Sequence, residues 1–120
     1  MIPSQMLKGI LEGCILNIIL KEEVYGYEIT EKLKGMGFGE ISEGTIYPLL
    51  LRLMRNEYLE ATIKSSFTGP KRKYYHLTPE GIEEAKSFQE NWQELSLAVN
   101  NLIGGLENDK KKSQSSTEVK

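Results

Sequence analysis

Lys71, Arg72 and Lys73 stand immediately behind the turn-forming pair Gly69-Pro70 and immediately before the aromatic pair Tyr74-Tyr75. Three cations at the tip and first residues of a hairpin form a compact positive projection, and the chemistry it serves is pairing with phosphate. A basic triplet alone reads more readily as a solubilising tip. A second group of side chains reverses that balance. Ser42, Thr45 and Tyr47 crowd the start of a helical segment, with Arg52 and Arg55 further along it. Hydroxyls at a helix N-terminus meet phosphate oxygens and base edges, while arginines further along hold the flanking backbone. Glu43, in the same first turn, either accepts from a cytosine amino group or faces away.

Other chemistry is sparse. His76 is the single imidazole and Cys14 the single thiol in 120 residues. One chain therefore cannot assemble a Cys/His zinc site or an internal disulfide. His76 lies on a predicted strand beside Tyr75 with no nucleophile motif nearby, which leaves a Ser-His-Asp arrangement unsupported. Cys14 falls in an apolar helical stripe and reads as a packing residue. The string from Gly35 to Gly39 has the glycines of a phosphate loop, but no strand precedes it and no Lys-Ser/Thr follows. It reads as a helix stop. The sequence points away from an enzyme and implies no metal or cofactor.

The chain is long enough for one domain and one appended helix, not for two cores. Hydrophobic residues make up 39% and charged residues 27%, with a formal net charge of -2. An acidic total disfavours indiscriminate nucleic-acid binding, so the placement of the cations matters more than their sum. The apolar stretch from Ile10 to Leu20 is too short to span a bilayer. Glu12 and Asn17 interrupt it, and it lacks the flanks of a signal peptide. It reads as a cytoplasmic protein with no membrane partner.

The elements that must position the candidate residues follow from periodicity. Leu7, Ile10, Leu11, Cys14, Ile15, Ile18 and Ile19 predict a helix over 4–21, with Leu16 and Leu20 widening its stripe toward more than one neighbour. Tyr25, Ile29, Leu33 and Met36 predict a second helix, ended by the glycines that follow. Ser42 caps a third, with Ile46, Leu49, Leu50 and Leu53 on its buried face, and Pro48 predicts a bend or a distorted first turn. Segments 59–66 and 71–77 predict two strands around the turn cluster Thr68-Gly69-Pro70. Three helices followed by a hairpin give a mainly α winged helix-turn-helix over 1–77. Thr78 as N-cap and Pro79 at the first helical position open one long C-terminal helix over 78–107. Phe88, Trp92, Leu95, Val99, Leu102 and Leu106 step along it with coiled-coil spacing, which predicts a homodimer interface. Residues 108–120, nearly devoid of apolar side chains, predict a disordered polar tail.

The run Ser42-Glu-Gly-Thr-Ile-Tyr-Pro-Leu-Leu-Leu-Arg-Leu53, together with Gly69-Pro-Lys-Arg-Lys-Tyr-Tyr-His-Leu-Thr-Pro-Glu-Gly81, resembles the PadR family of bacterial transcriptional regulators. Tyr25-Gly-Tyr-Glu-Ile29 matches that family's second-helix opening, and the likeness covers about residues 5 to 107. The resemblance implies a homodimeric repressor bound to a pseudo-palindromic double-stranded DNA operator, with Ser42, Thr45, Tyr47, Lys71, Arg72 and Lys73 on the DNA. The single short C-terminal helix resembles a smaller subfamily that includes a multidrug-binding repressor. That likeness places Trp92 where a small aromatic effector stacks at the dimer centre; plain dimer packing is the other reading of Trp92. The family often has Gly just after the third helix where this chain has Glu57, so Asn56 is the expected left-handed cap.

A second reading of the same features is a winged-helix protein-interaction module that binds no DNA. The acidic total charge and the apolar seam from Phe88 to Leu106 motivate it, and a stable non-identical partner would distinguish it.

Overall fold

The computed structural model describes residues 1–65 and 69–115, with side chains described through Gly104. Eight elements follow in order: α1 (Ser4–Leu7), α2 (Leu11–Lys21), β1 (Val24–Tyr25), α3 (Gly26–Gly35), α4 (Glu43–Arg55), β2 (Leu59–Ser65), β3 (Lys71–Leu77) and α5 (Pro79–Ser115). The helix predicted over 4–21 is two helices. The chain turns at Lys8–Ile10, where the Ile10 N–H donates to the Leu7 carbonyl at 3.0 Å and Gly9 lowers helix propensity. Leu7 and Leu11 are buried on either side of the turn, so one apolar stripe survives the break.

The core is built where these stripes converge. Leu11, Ile15, Leu16, Ile18 and Ile19 of α2 pack with Ile29 and Leu33 of α3, Ile46, Leu50 and Leu53 of α4, and Val24, Leu59 and Tyr75 of the sheet. Leu16 is fully buried within this core, so the width of the α2 stripe is taken up in part by the chain's own fold.

The sheet has the order β1-β3-β2, antiparallel throughout. Val24 pairs with Tyr75 and Tyr25 with Tyr74; β2 runs against β3 from Leu59 opposite Leu77 to Ser65 opposite Lys71. Strand alternation puts Leu59, Ala61, Tyr75 and Leu77 on the core face, and Glu60, Lys64, Arg72, Tyr74 and His76 on the other. Ile63 lies opposite Lys73 in the core-facing register yet is exposed, which marks where the hairpin projects past the body. The two-residue β1 escapes any periodicity argument, because only pairing to a strand fifty residues later defines it. Ser66 and Thr68, read as strand end and turn, lie outside the described residues.

Both central helices end in the same motif. After α3, the Phe38 N–H donates to the Leu33 carbonyl and Gly37 adopts a φ of 102°, as expected of the glycine stop. After α4, the Tyr58 N–H donates to Leu53 and the Glu57 N–H to Met54, each at 2.9 Å. Here the left-handed residue is Glu57, with a φ of 66°, and not Asn56, whose φ is -83°. The expected cap is thus shifted by one residue, onto Glu57. Helix α4 runs unbroken across Pro48.

Thr78 fixes the start of α5 by several bonds at once. Its Oγ1 donates to the Glu57 carbonyl at 2.7 Å and accepts from the Gly81 N–H at 2.9 Å, and its own N–H donates to Tyr58 at 3.1 Å. Gly81 approaches Tyr58 so closely that a Cβ would collide with the Tyr58 carbonyl oxygen. Asn17 Nδ2 donates to the Ala85 carbonyl at 3.2 Å, tying α2 to the same turns.

The chain divides into two units, Met1–Ser87 and Phe88–Lys120. The division falls inside α5 rather than at residue 77, because Gly81 and the fully buried Ala85 belong to the first core. In the second unit Phe88 is half-buried, while Trp92, Leu95, Val99 and Leu102 are exposed, Leu102 by 78%. The Leu106 side chain lies outside the described residues. The α5 backbone remains helical to Ser115, where a disordered tail from Asn108 was expected; the Asn108–Ser115 segment carries Lys and Gln, which are good helix formers, and no Pro or Gly. Residues 116–120 lie outside the described ones.

Candidate nucleic-acid interface

The candidate site grows from one helix start and one strand tip. At Ser42 the backbone is extended, and its Oγ accepts from the Thr45 N–H at 3.2 Å while lying 3.2 Å from Thr45 Oγ1. This is the N-cap predicted from sequence, and it holds both hydroxyls at the exposed end of α4. Ile46, Leu50 and Leu53 anchor the opposite side of the helix in the core. The helix is thereby fixed with its first turn outward.

Tyr47 leaves that first turn toward α3. Its ring covers Gly26 so closely that a Cβ there would lie 2.5 Å from the Tyr47 hydroxyl. Burial, the nearby Glu43 carboxylate and a hydrogen bond to it hold the Tyr47 hydroxyl above its ordinary pKa. The Glu43 carboxylate thus stands near the Tyr47 hydroxyl on the first turn of α4. The buried Tyr75 hydroxyl is likewise pushed up, first by burial and then by Tyr47.

Across from Tyr47 lies the start of β3. Tyr25, Gly26, Tyr27, Tyr47, Lys71, Arg72, Lys73 and Tyr75 line one cleft of about 450 Å³. The three cations divide by strand alternation: Lys71 and Lys73 point to one face of β3 and Arg72 to the other. The Arg72 guanidinium lies over the Tyr25 ring, 4.4 Å from its centroid. Tyr25 in turn meets Tyr74 edge-on at 5.4 Å and Tyr27 at 6.5 Å. Of the predicted residues, Tyr47, Lys71, Arg72 and Lys73 come together in the cleft, and Ser42 and Thr45 stand on the same first turn of α4 as Tyr47.

Arg52 stands apart. Its Nε pairs with Glu12 Oε2 at 2.5 Å, bracing α4 against α2, so its charge has an internal partner. Tyr25 and Tyr27 of the cleft, unlike Tyr47, were not expected as site residues from sequence. Their signal was the spacing Tyr25-Gly26-Tyr27, whose meaning depends on β1 delivering Tyr25 beside β3. On the outer sheet face, His76 lies between Glu60, at 3.2 Å, and Glu23, at 3.8 Å, and Glu23 also holds Lys64 at 2.5 Å. His76 thus sits among polar side chains on the outer face of the strand. Among the described residues no group of His, Cys, Asp and Glu side chains suits a metal ion, and no helix is long and apolar enough to cross a membrane. Burial raises the Cys14 thiol pKa, in keeping with packing.

Helices α1 to α4, a three-stranded antiparallel sheet with a basic projecting hairpin, and a long C-terminal helix define a winged helix. A model of the transcriptional regulator PadR-like family matches residues 15–87. The crystal structure of a PadR-like transcriptional regulator from Bacillus cereus is 57% identical and covers 83% of this chain and 97% of its own, with a TM-score of 0.77. A Streptococcus transcriptional regulator is 42% identical over 84% of this chain and 99% of its own, with a TM-score of 0.76. An uncharacterised protein of Lysinibacillus sphaericus is 32% identical over 109 residues, 89% of this chain and the whole of the other. This chain belongs to the PadR-like family of transcriptional regulators. It is a DNA-binding regulator, and the family and the solved structures similar to it are named for transcriptional regulation.

Proposed function

We propose that the chain is a homodimeric repressor that binds a pseudo-palindromic operator, with α4 in the major groove and the β2–β3 hairpin on the adjacent backbone. The observation that carries this reading is the convergence of the α4 first turn and the basic start of β3 on one cleft. Ser42, Thr45 and Tyr47 supply contacts on the helix, and Lys71, Arg72 and Lys73 supply charge for phosphates. The exposed seam of Trp92, Leu95, Val99 and Leu102 supports the dimer, since exposed apolar residues in coiled-coil register favour a matching helix. Two copies would then present their recognition helices about 34 Å apart, one turn of DNA.

The test is a comparison of variants on a duplex taken from upstream of the protein's own coding sequence and on point variants of that duplex. Thr45→Ala should reorder the preference among duplexes, whereas Lys71→Ala and Lys73→Ala should weaken all of them alike. Equal effects from all three would contradict the division of labour. A small aromatic effector at Trp92 is the accompanying proposal, supported by an indole that is 45% exposed on the seam. Trp92 is the single Trp of the chain, so quenching of its fluorescence by planar aromatic compounds reports directly on it. An unchanged spectrum across such compounds contradicts the effector and leaves Trp92 as dimer packing.

A further inference from the structure

Arg72 differs from its neighbours in having a platform. Lys71 and Lys73 are exposed on one face of β3, whereas Arg72 is half-buried on the other, with its guanidinium 4.4 Å from the Tyr25 ring centroid. The Tyr25 ring is itself held. Its backbone pairs with Tyr74 across the β1–β3 ladder, its N–H donates to the Glu28 carboxylate at 3.1 Å, and its ring abuts Tyr74 edge-on. A guanidinium held over such a ring loses rotamer freedom before any ligand arrives, while its N–H donors remain for an anion.

We infer that Tyr25 is a positioning residue for DNA binding, a fixed aromatic platform that pre-orients Arg72 toward a backbone phosphate at the mouth of the cleft. This deepens the proposed function and rests on it. Two details support the assignment. Arg72, unlike Arg52, forms no ion pair with a carboxylate among the described residues, so its charge is uncompensated. The residues lining the cleft it borders include Lys71 and Lys73 and no Asp or Glu, with Glu43 set beside Tyr47. Pre-ordering a long side chain lowers the entropy lost on binding, so the platform should act on affinity while leaving the number of phosphate contacts unchanged.

The test is a double-mutant cycle on the upstream duplex, read by fluorescence anisotropy at several salt concentrations, with thermal melts confirming that each variant folds. Arg72→Ala should weaken binding and flatten the slope of log affinity against log salt by about 0.9 for each phosphate contact removed. Tyr25→Leu should weaken binding about two- to fivefold with the slope preserved, and Tyr25→Phe, which keeps the ring, should restore affinity. In the Arg72→Ala background, Tyr25→Leu should have no further effect. An equal loss in both backgrounds, or none in either, overturns the inference while leaving the DNA-binding reading intact. If Arg72→Ala itself leaves affinity and slope unchanged, Arg72 touches no phosphate, and both its assignment to the interface and the platform fall.

Discussion

At the scale of single residues, the structure rests on two backbone positions that the side-chain pattern does not advertise. Gly81 is required by contact: the Tyr58 carbonyl occupies the space of its missing side chain. Gly81→Ala should therefore lower stability by about 1–3 kcal/mol through forced displacement of the α5 start, measured by denaturant unfolding; an unchanged midpoint would show that the contact relaxes freely. Glu57 is the converse case, a side chain holding a left-handed conformation that glycine holds without strain. Glu57→Gly should stabilise the chain by roughly 0.5–1 kcal/mol, and a loss of stability would mean that the Glu57 side chain contributes more than its backbone costs. Position 57 was legible as a departure from the family pattern. The sequence could not show which of Asn56 and Glu57 takes the strain, because that depends on two backbone hydrogen bonds to Leu53 and Met54.

At the scale of elements, what was legible was local. Ser42 and Thr78 are caps that act within three residues of themselves, and the helices they open follow from apolar spacing over several turns. What stayed hidden was carried by contacts distant in sequence. The β1 pair, the Arg52–Glu12 bond and the Tyr25–Arg72 contact each join residues about forty to fifty positions apart. The alternation of Lys71, Arg72 and Lys73 was available from strand geometry, yet the triplet reads as one patch until β3 is given faces. Ser42 joins local structure to proposed function, since one hydroxyl both caps α4 and stands at its exposed end. Ser42→Asp should keep the cap, with stability within about 0.5 kcal/mol, but weaken DNA binding by setting a carboxylate against phosphates. Retained affinity would place Ser42 away from the DNA backbone.

At the scale of the whole molecule, a chain of net charge -2 is assigned to a polyanion, and the resolution lies in where its charges are placed. Among the described residues, four acidic side chains are paired with Lys or Arg of the chain itself: Glu22 with Lys32, Glu40 with Lys34, Glu12 with Arg52 and Glu23 with Lys64. The cleft keeps its cations without a carboxylate among its lining residues. The α5 seam supplies the other whole-molecule argument. Leu95 is exposed by 53%, so Leu95→Glu should leave the fold intact and shift the sedimenting species from dimer to monomer. A dimer unaffected by this substitution would move the interface elsewhere.

The central claim is that the α4–β3 cleft is the DNA-binding surface, and the salt dependence of binding to the upstream duplex tests it most directly. A dimer presents Lys71, Arg72 and Lys73 twice, and neutralising about six phosphates implies roughly a thousandfold loss of affinity between about 50 and 200 mM salt. The loss should shrink markedly when all three are replaced by Ala. Binding that ignores salt, or a steep loss that survives the triple substitution, would contradict the assignment.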